Sequence, residues 1–228
     1  VMFYLILIIL LVVLVVGPSY WVKHIMEKYS QPDDRYSGTG AQLARILLDQ
    51  ANLQQVRVET TELGDHYDPL EKVVRLTPDK FNGRSLTAIT VAAHEVGHAL
   101  QDRDGYLPLK MRTRLVQLAA PVEKLGAGIL MLVPLVVALV RAPLAGALFL
   151  AGGLLTLGTS TLVHLLTLPM EMNASFVRAL PLLEQGNYLK QGDAPHARRL
   201  LKAAAWTYVS ASLMTLLNIA RWWAIIRR

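Results

Sequence analysis

The stretch SLTAITVAAHEVGHALQ, residues Ser85–Gln101, decides how the rest of this chain is read. Ser85 suits a helix N-cap, and the pattern after it predicts a helix through about Ala99 that stops near Gly105. Within it lies His94-Glu95-Val96-Gly97-His98. Side chains at i and i+4 stand one above the other on one face of a helix. Two imidazoles so placed can bind one Zn²⁺ at about 2.0–2.1 Å. Glu95 is rotated away from the pair but borders the metal. It can take a proton from a water whose pKa zinc lowers from about 15.7 toward about 7.

A zinc site that does chemistry needs a third protein ligand and an open position. No third His follows at H-E-x-x-H-x-x-G-x-x-H spacing, because Ala99-Leu100-Gln101-Asp102-Arg103-Asp104 comes next, and the pattern with that third His is excluded. The remaining candidates are Asp102, Glu171, Glu184 and His196. Glu171 is the best of them. It stands in Leu168–Ser175, LPMEMNAS, where Pro169 suits a helix start and puts Glu171 in the first turn. A lone carboxylate in an apolar stretch is costly unless paired or metal-bound. A helix N-terminal charge favoured by the macrodipole explains it equally well.

Upstream of this stretch, Thr39 can cap a helix with apolar positions Leu43, Ile46, Leu47 and, less regularly, Ala51. Gln55–Thr60 alternates and reads as a strand, with Val56 and Val58 on one face. Lys72–Thr77 reads as a second strand, expected at a sheet edge beside the His-bearing helix, where a substrate could add by backbone hydrogen bonds. Gly64–Pro69 between them is rich in turn residues. Helix, short strands and helix make a small α+β unit.

The composition places this unit beside long apolar blocks. Of 228 residues, 53% are hydrophobic and 18% charged, against about 25% charged in an ordinary soluble domain. There is no Cys, which removes disulfides, thiolate ligands, iron–sulfur clusters and Cys nucleophiles together. The net charge is +6, but between Val22 and Pro121 thirteen basic side chains face thirteen acidic ones. The surplus lies near the apolar blocks and at the C-terminus, so nucleic acid is not an expected partner.

Met2–Val16 is an unbroken apolar run followed by Gly17-Pro18, Tyr20-Trp21 and Lys23. It reads as an uncleaved anchor rather than a signal peptide, having no basic n-region and no small-x-small site. Blocks at about 125–140 and 144–168, joined by Arg141-Ala142-Pro143, read as a transmembrane hairpin, with glycines allowing close helix approach. A weaker block covers about 203–220. The expected division is an anchor at 1–21, a cytoplasmic unit at 22–121, the hairpin at 122–168, a cytoplasmic helical segment with the third ligand at 169–202, and a transmembrane or interfacial helix at 203–228. The positive-inside rule puts both polar parts on the cytoplasmic side of the cell membrane in a multi-pass protein.

The quoted motifs resemble the YugP-type neutral zinc metallopeptidases, a family of bacterial membrane proteins. The stretches that carry the likeness are Tyr36–Leu53, Gly64–Thr77, Thr87–Gln101, Leu168–Ser175 and Leu200–Leu217. They total 73 of the 228 residues and are spread between Tyr36 and Leu217. The fourth is similar to the segment that supplies the family's third ligand, and it resembles the E-x-x-A-D segment of the HtpX-like membrane-bound peptidases, whose Glu binds zinc. The resemblance therefore implies Glu171 as the ligand beside His94 and His98. Two departures stand out: Asn173 where the family often has Asp, and Ser175 in place of the HtpX-like Asp. The support around the ligands is left open by them.

The expected fold class is a mostly α membrane protein, with transmembrane helices and a small cytoplasmic α+β zincin-like domain. The expected function is a membrane-bound zinc metalloendopeptidase with one Zn²⁺ per chain and Glu95 as general base. It would act on protein or peptide substrates, membrane-associated ones among them, beside the lipid bilayer. His66, Tyr67 and Arg178 are candidates for stabilising the oxyanion, with turn architecture the competing account of the first two and a lipid-headgroup contact that of Arg178. Alternatives are a non-catalytic zinc-binding membrane scaffold that binds partners, and an intramembrane serine protease built on Ser160 and His164. Zinc transport ranks low, for want of polar ligands in the apolar blocks. Asn173-Ala174-Ser175 matches a glycosylation sequon by chance. Oligomeric state is open.

Overall fold

In the computed structural model, which describes residues 2–118, 121, 167–207 and 210, Ser85 opens the central helix. Its hydroxyl accepts from the Ala88 N–H and caps α4, Leu86–Arg103. The helix ends where the sequence stops it. Gly105 takes φ +66°, a left-handed conformation that suits glycine, and the Tyr106 N–H returns to the Gln101 carbonyl, closing the last turn. Every α4 residue from Leu86 to Gln101 is buried. The helix is thus covered all round and forms the axis of its unit.

Before it come α1 (Met2–Lys28), α2 (Gly40–Gln50), the strands β1 (Arg57–Thr60), β2 (His66–Asp68) and β3 (Val73–Leu76), and the single turn α3 (Pro78–Phe81). Thr39 caps α2 with Gln42 in a reciprocal capping box. Leu43, Ala44, Leu47 and Leu48 are buried. Ile46, expected among the apolar face, is 45% exposed, and Leu48 takes the inward place. Gly40 marks how closely α2 approaches: a Cβ there would stand 2.3 Å from the Lys80 carbonyl oxygen and 2.9 Å from that of Ala88.

The sheet order is β1-β3-β2, with β1 parallel and β2 antiparallel to β3. Two expectations are corrected here. The turn-rich stretch holds a strand, His66–Asp68, registered against Val73–Arg75. Lys72–Thr77 is not an edge: β3 is central, so β1 and β2 carry the free edges. The Asp68 carboxylate accepts the Leu70 and Glu71 N–H groups and tightens the connection that brings β2 beside β3.

After α4, residues 107–118 are helical. A return segment is helical over 167–172, π-helical over Asn173–Ala179 and α-helical over Leu180–Gln185, and a last helix covers 194–207. The chain divides into two compact units. One comprises Pro18–Lys110 with Leu168–Thr207, and the other Val1–Gly17, Met111–Thr167 and Tyr208–Arg228. In the first, Asp193, 2% exposed, pins the start of the last helix. Its carboxylate receives two bonds from Arg35, at 2.8 and 2.6 Å, and one from the Tyr36 hydroxyl.

The transmembrane architecture expected from composition is corrected. Among the described residues no helix is long and apolar enough to cross a membrane. The expected hairpin at 122–168, with Ser160 and His164, lies outside the described residues, apart from Thr167 and Leu168. So does most of the segment at 203–228. The described architecture is helical with one small sheet, and it gives no support to a multi-pass placement.

Candidate metal centre

The α4 spacing puts His94 and His98 on one face, and the return segment brings Glu171 to them across 73 residues of sequence. His94 Nε2 and His98 Nε2 are 3.3 Å apart. Glu171 Oε2 stands 3.2 Å from the first and 3.1 Å from the second. His94 is 4% exposed, His98 6% and Glu171 0%.

The hydrogen bonds behind these rings decide which nitrogen faces the cluster. Gln101 Nε2 donates to the Met170 carbonyl at 2.8 Å and to Asn173 Oδ1 at 2.9 Å. A backbone carbonyl only accepts, so the Gln101 amide nitrogen is on that side. Its oxygen therefore accepts from His98 Nδ1, at 3.0 Å. The Ser175 hydroxyl donates its one proton to the Leu201 carbonyl at 3.0 Å, so it accepts from His94 Nδ1, also at 3.0 Å. Both rings then turn an Nε2 lone pair toward the Glu171 carboxylate.

A zinc ion fits this donor set. Donors about 2.0–2.1 Å from a tetrahedral centre lie about 3.3 Å from one another, and the three edges here are 3.1, 3.2 and 3.3 Å. Lone pairs converging without a proton between them repel unless a cation joins them. Among the described residues Glu171 Oε1 is buried with no hydrogen-bond partner, a costly state for a carboxylate that a cation relieves. The chain thus has a buried His-His-Glu group able to bind one metal ion.

The other candidates stand elsewhere. Asp102 accepts from the Tyr67 hydroxyl at 2.6 Å and pairs with Lys72. Glu184 pairs with Arg198 at 3.1 Å, and His196 Nδ1 meets the Tyr29 hydroxyl at 3.0 Å. Of the oxyanion candidates, Tyr67 has its hydroxyl committed to Asp102, and burial with that carboxylate raises its pKa. His66 Nδ1 bonds the Gly64 carbonyl at 2.8 Å, and Arg178 engages Asn173 and Asp104. Glu95 is 5% exposed, beside His94 in α4. Sequence reasoning missed Gln101, though its position three residues after His98 signals a shared helix face. It also left Ser175 as a departure with no role, yet Ser175 is fully buried behind His94.

A family model described as "Putative neutral zinc metallopeptidase" matches residues 4–227. The protein named "Putative membrane protease YugP", from Bacillus subtilis strain 168, is 37% identical over 222 residues, covering 94% of each chain. No solved structure matches. With the matched region running almost end to end and a buried His-His-Glu group at its core, this chain belongs to the neutral zinc metallopeptidase family.

Proposed function

We propose that this protein hydrolyses peptide bonds in protein or peptide substrates, using one zinc ion held by His94, His98 and Glu171, with Glu95 as general base. The observation that supports it most is the triangle of buried donor atoms with edges of 3.1–3.3 Å. Zinc, when bound, supplies Lewis-acid polarisation of the scissile carbonyl and a lowered pKa for water at the open position. Glu95 takes the proton from the attacking water and returns it to the leaving amine nitrogen, so one carboxyl serves as base and then as acid. His94 and His98 keep their Nε2 atoms aimed inward through Ser175 and Gln101, and these supports cost no reorganisation as the reaction proceeds. Association with a membrane belongs to the same reading, on the strength of the relative's printed name.

The test is cleavage of casein by the purified chain, with and without a chelator, beside Glu95→Gln. The expected result is chelator-sensitive cleavage in the parent, and in Glu95→Gln a zinc content equal to the parent's with cleavage lowered by at least about 10²-fold. Zinc binding with no cleavage by the parent of casein or of detergent-solubilised membrane proteins would favour the non-catalytic scaffold.

A further inference from the structure

Asn173 Oδ1 receives two N–H donors, Gln101 Nε2 at 2.9 Å and Arg178 Nε at 3.1 Å. Two donors fix that atom as oxygen. Arg178 also pairs through its terminal nitrogen with Asp104, the C-cap of α4, and its guanidinium lies 5.9 Å from the centre of the Tyr106 ring. A continuous series of hydrogen bonds thus runs from Asp104 through Arg178, Asn173 and Gln101 to His98 Nδ1. It joins α4 to the π-helical stretch, the two parts of the chain that meet at the donor triangle.

We propose that Arg178 is a positioning residue for the metal centre, acting on His98 through Asn173 and Gln101. The proposal rests on the zinc reading above. Arg178 Nε fixes where the Asn173 oxygen stands. That oxygen and the Met170 carbonyl together hold the Gln101 amide, and the amide oxygen orients the His98 ring. Asn173 needs only its oxygen for this. His94 is served separately, by Ser175 and the Leu201 carbonyl.

The separate supports give a test that a general packing role does not pass. Zinc affinity of the purified full chain is measured by competition with a chromophoric chelator. Arg178→Met and Gln101→Met should each weaken zinc about tenfold. The double variant should be no weaker than Gln101→Met alone, because both act on His98 by one route. Arg178→Met combined with Ser175→Ala should instead multiply, because the second acts on His94. Asn173→Asp should keep the parent affinity, and Asn173→Leu should fall to the level of Arg178→Met; this pair carries the test if Arg178→Met does not fold. Parent affinity in Arg178→Met, or its full factor appearing on top of Gln101→Met, would overturn the proposal. A parent chain that binds no zinc strikes the metal reading itself. A parent that binds zinc, loses it in Glu171→Ala and keeps its full affinity in Arg178→Met strikes this proposal alone.

Discussion

Gly97 lies directly against the backbone of Ala174. A Cβ on Gly97 would stand 2.7 Å from the Ala174 carbonyl oxygen, 3.3 Å from its carbon and 3.5 Å from its Cα. No flexible side chain is there to move aside. The close approach occurs between His94 and His98 on one side and three residues after Glu171 on the other, so it sets how near the carboxylate comes to the imidazoles.

Gly97→Ala should therefore destabilise the fold by about 1–3 kcal/mol through overpacking and weaken zinc binding. The sign is informative. In an open helix the same change stabilises by roughly 0.5–1 kcal/mol. Denaturant midpoints with chelator present, and zinc affinity by competition, measure the two effects separately.

Zinc should raise thermal stability. Among the described residues the metal-free centre keeps Glu171 Oε1 buried without a hydrogen bond and two imidazoles facing a carboxylate, so the folded chain binds the ion far better than the unfolded one. At a free zinc concentration about 100 times Kd the gain is about 2.7 kcal/mol. A chelator should reverse it, and His98→Ala should abolish it. Thermal melts with and without zinc check both.

Alkaline pH should loosen the attachment of the last helix. Tyr36 is buried and bonded to Asp193, and both effects push its pKa up to about 12, from an ordinary value of about 10. A raised folded-state pKa stabilises fully below pH 10. That contribution falls away between about 10 and 12, as the unfolded chain ionises first. Tyr36→Phe should show a shallower loss of stability over this window than the parent. At the acid end the sign reverses. Burial opposes ionisation of Asp193, but hydrogen bonds from Arg35 and Tyr36 prevail and lower its pKa. Its contribution is present above the ordinary carboxylate pKa and is lost as pH falls below it.

The central helix was readable because its signals are local: a Ser85 cap, a stop at Gly105 and histidines one turn apart. The α2 start at Thr39 was readable for the same reason. The β2 strand was not. His66-Tyr67-Asp68 is three residues between turn formers, and it is a strand because β3 lies beside it. The central place of β3 is likewise decided by a parallel partner reached around a connection, which no local pattern encodes. The third donor, 73 residues from His98, could be ranked from its surroundings but not placed; family likeness pointed to it and packing at Gly97 and Ala174 explains it. The π-helical turn of Asn173–Ala179 has no compositional mark. Apolar composition was read as membrane spans, and the described helices do not provide one.

The most direct test is the zinc content of the purified chain beside Glu171→Ala, each determined by elemental analysis after equilibration with limiting free zinc. A centre made by His94, His98 and Glu171 should hold one zinc per chain in the parent and lose it in Glu171→Ala, with that variant still folded by circular dichroism. A folded Glu171→Ala that keeps a full equivalent of zinc would contradict it.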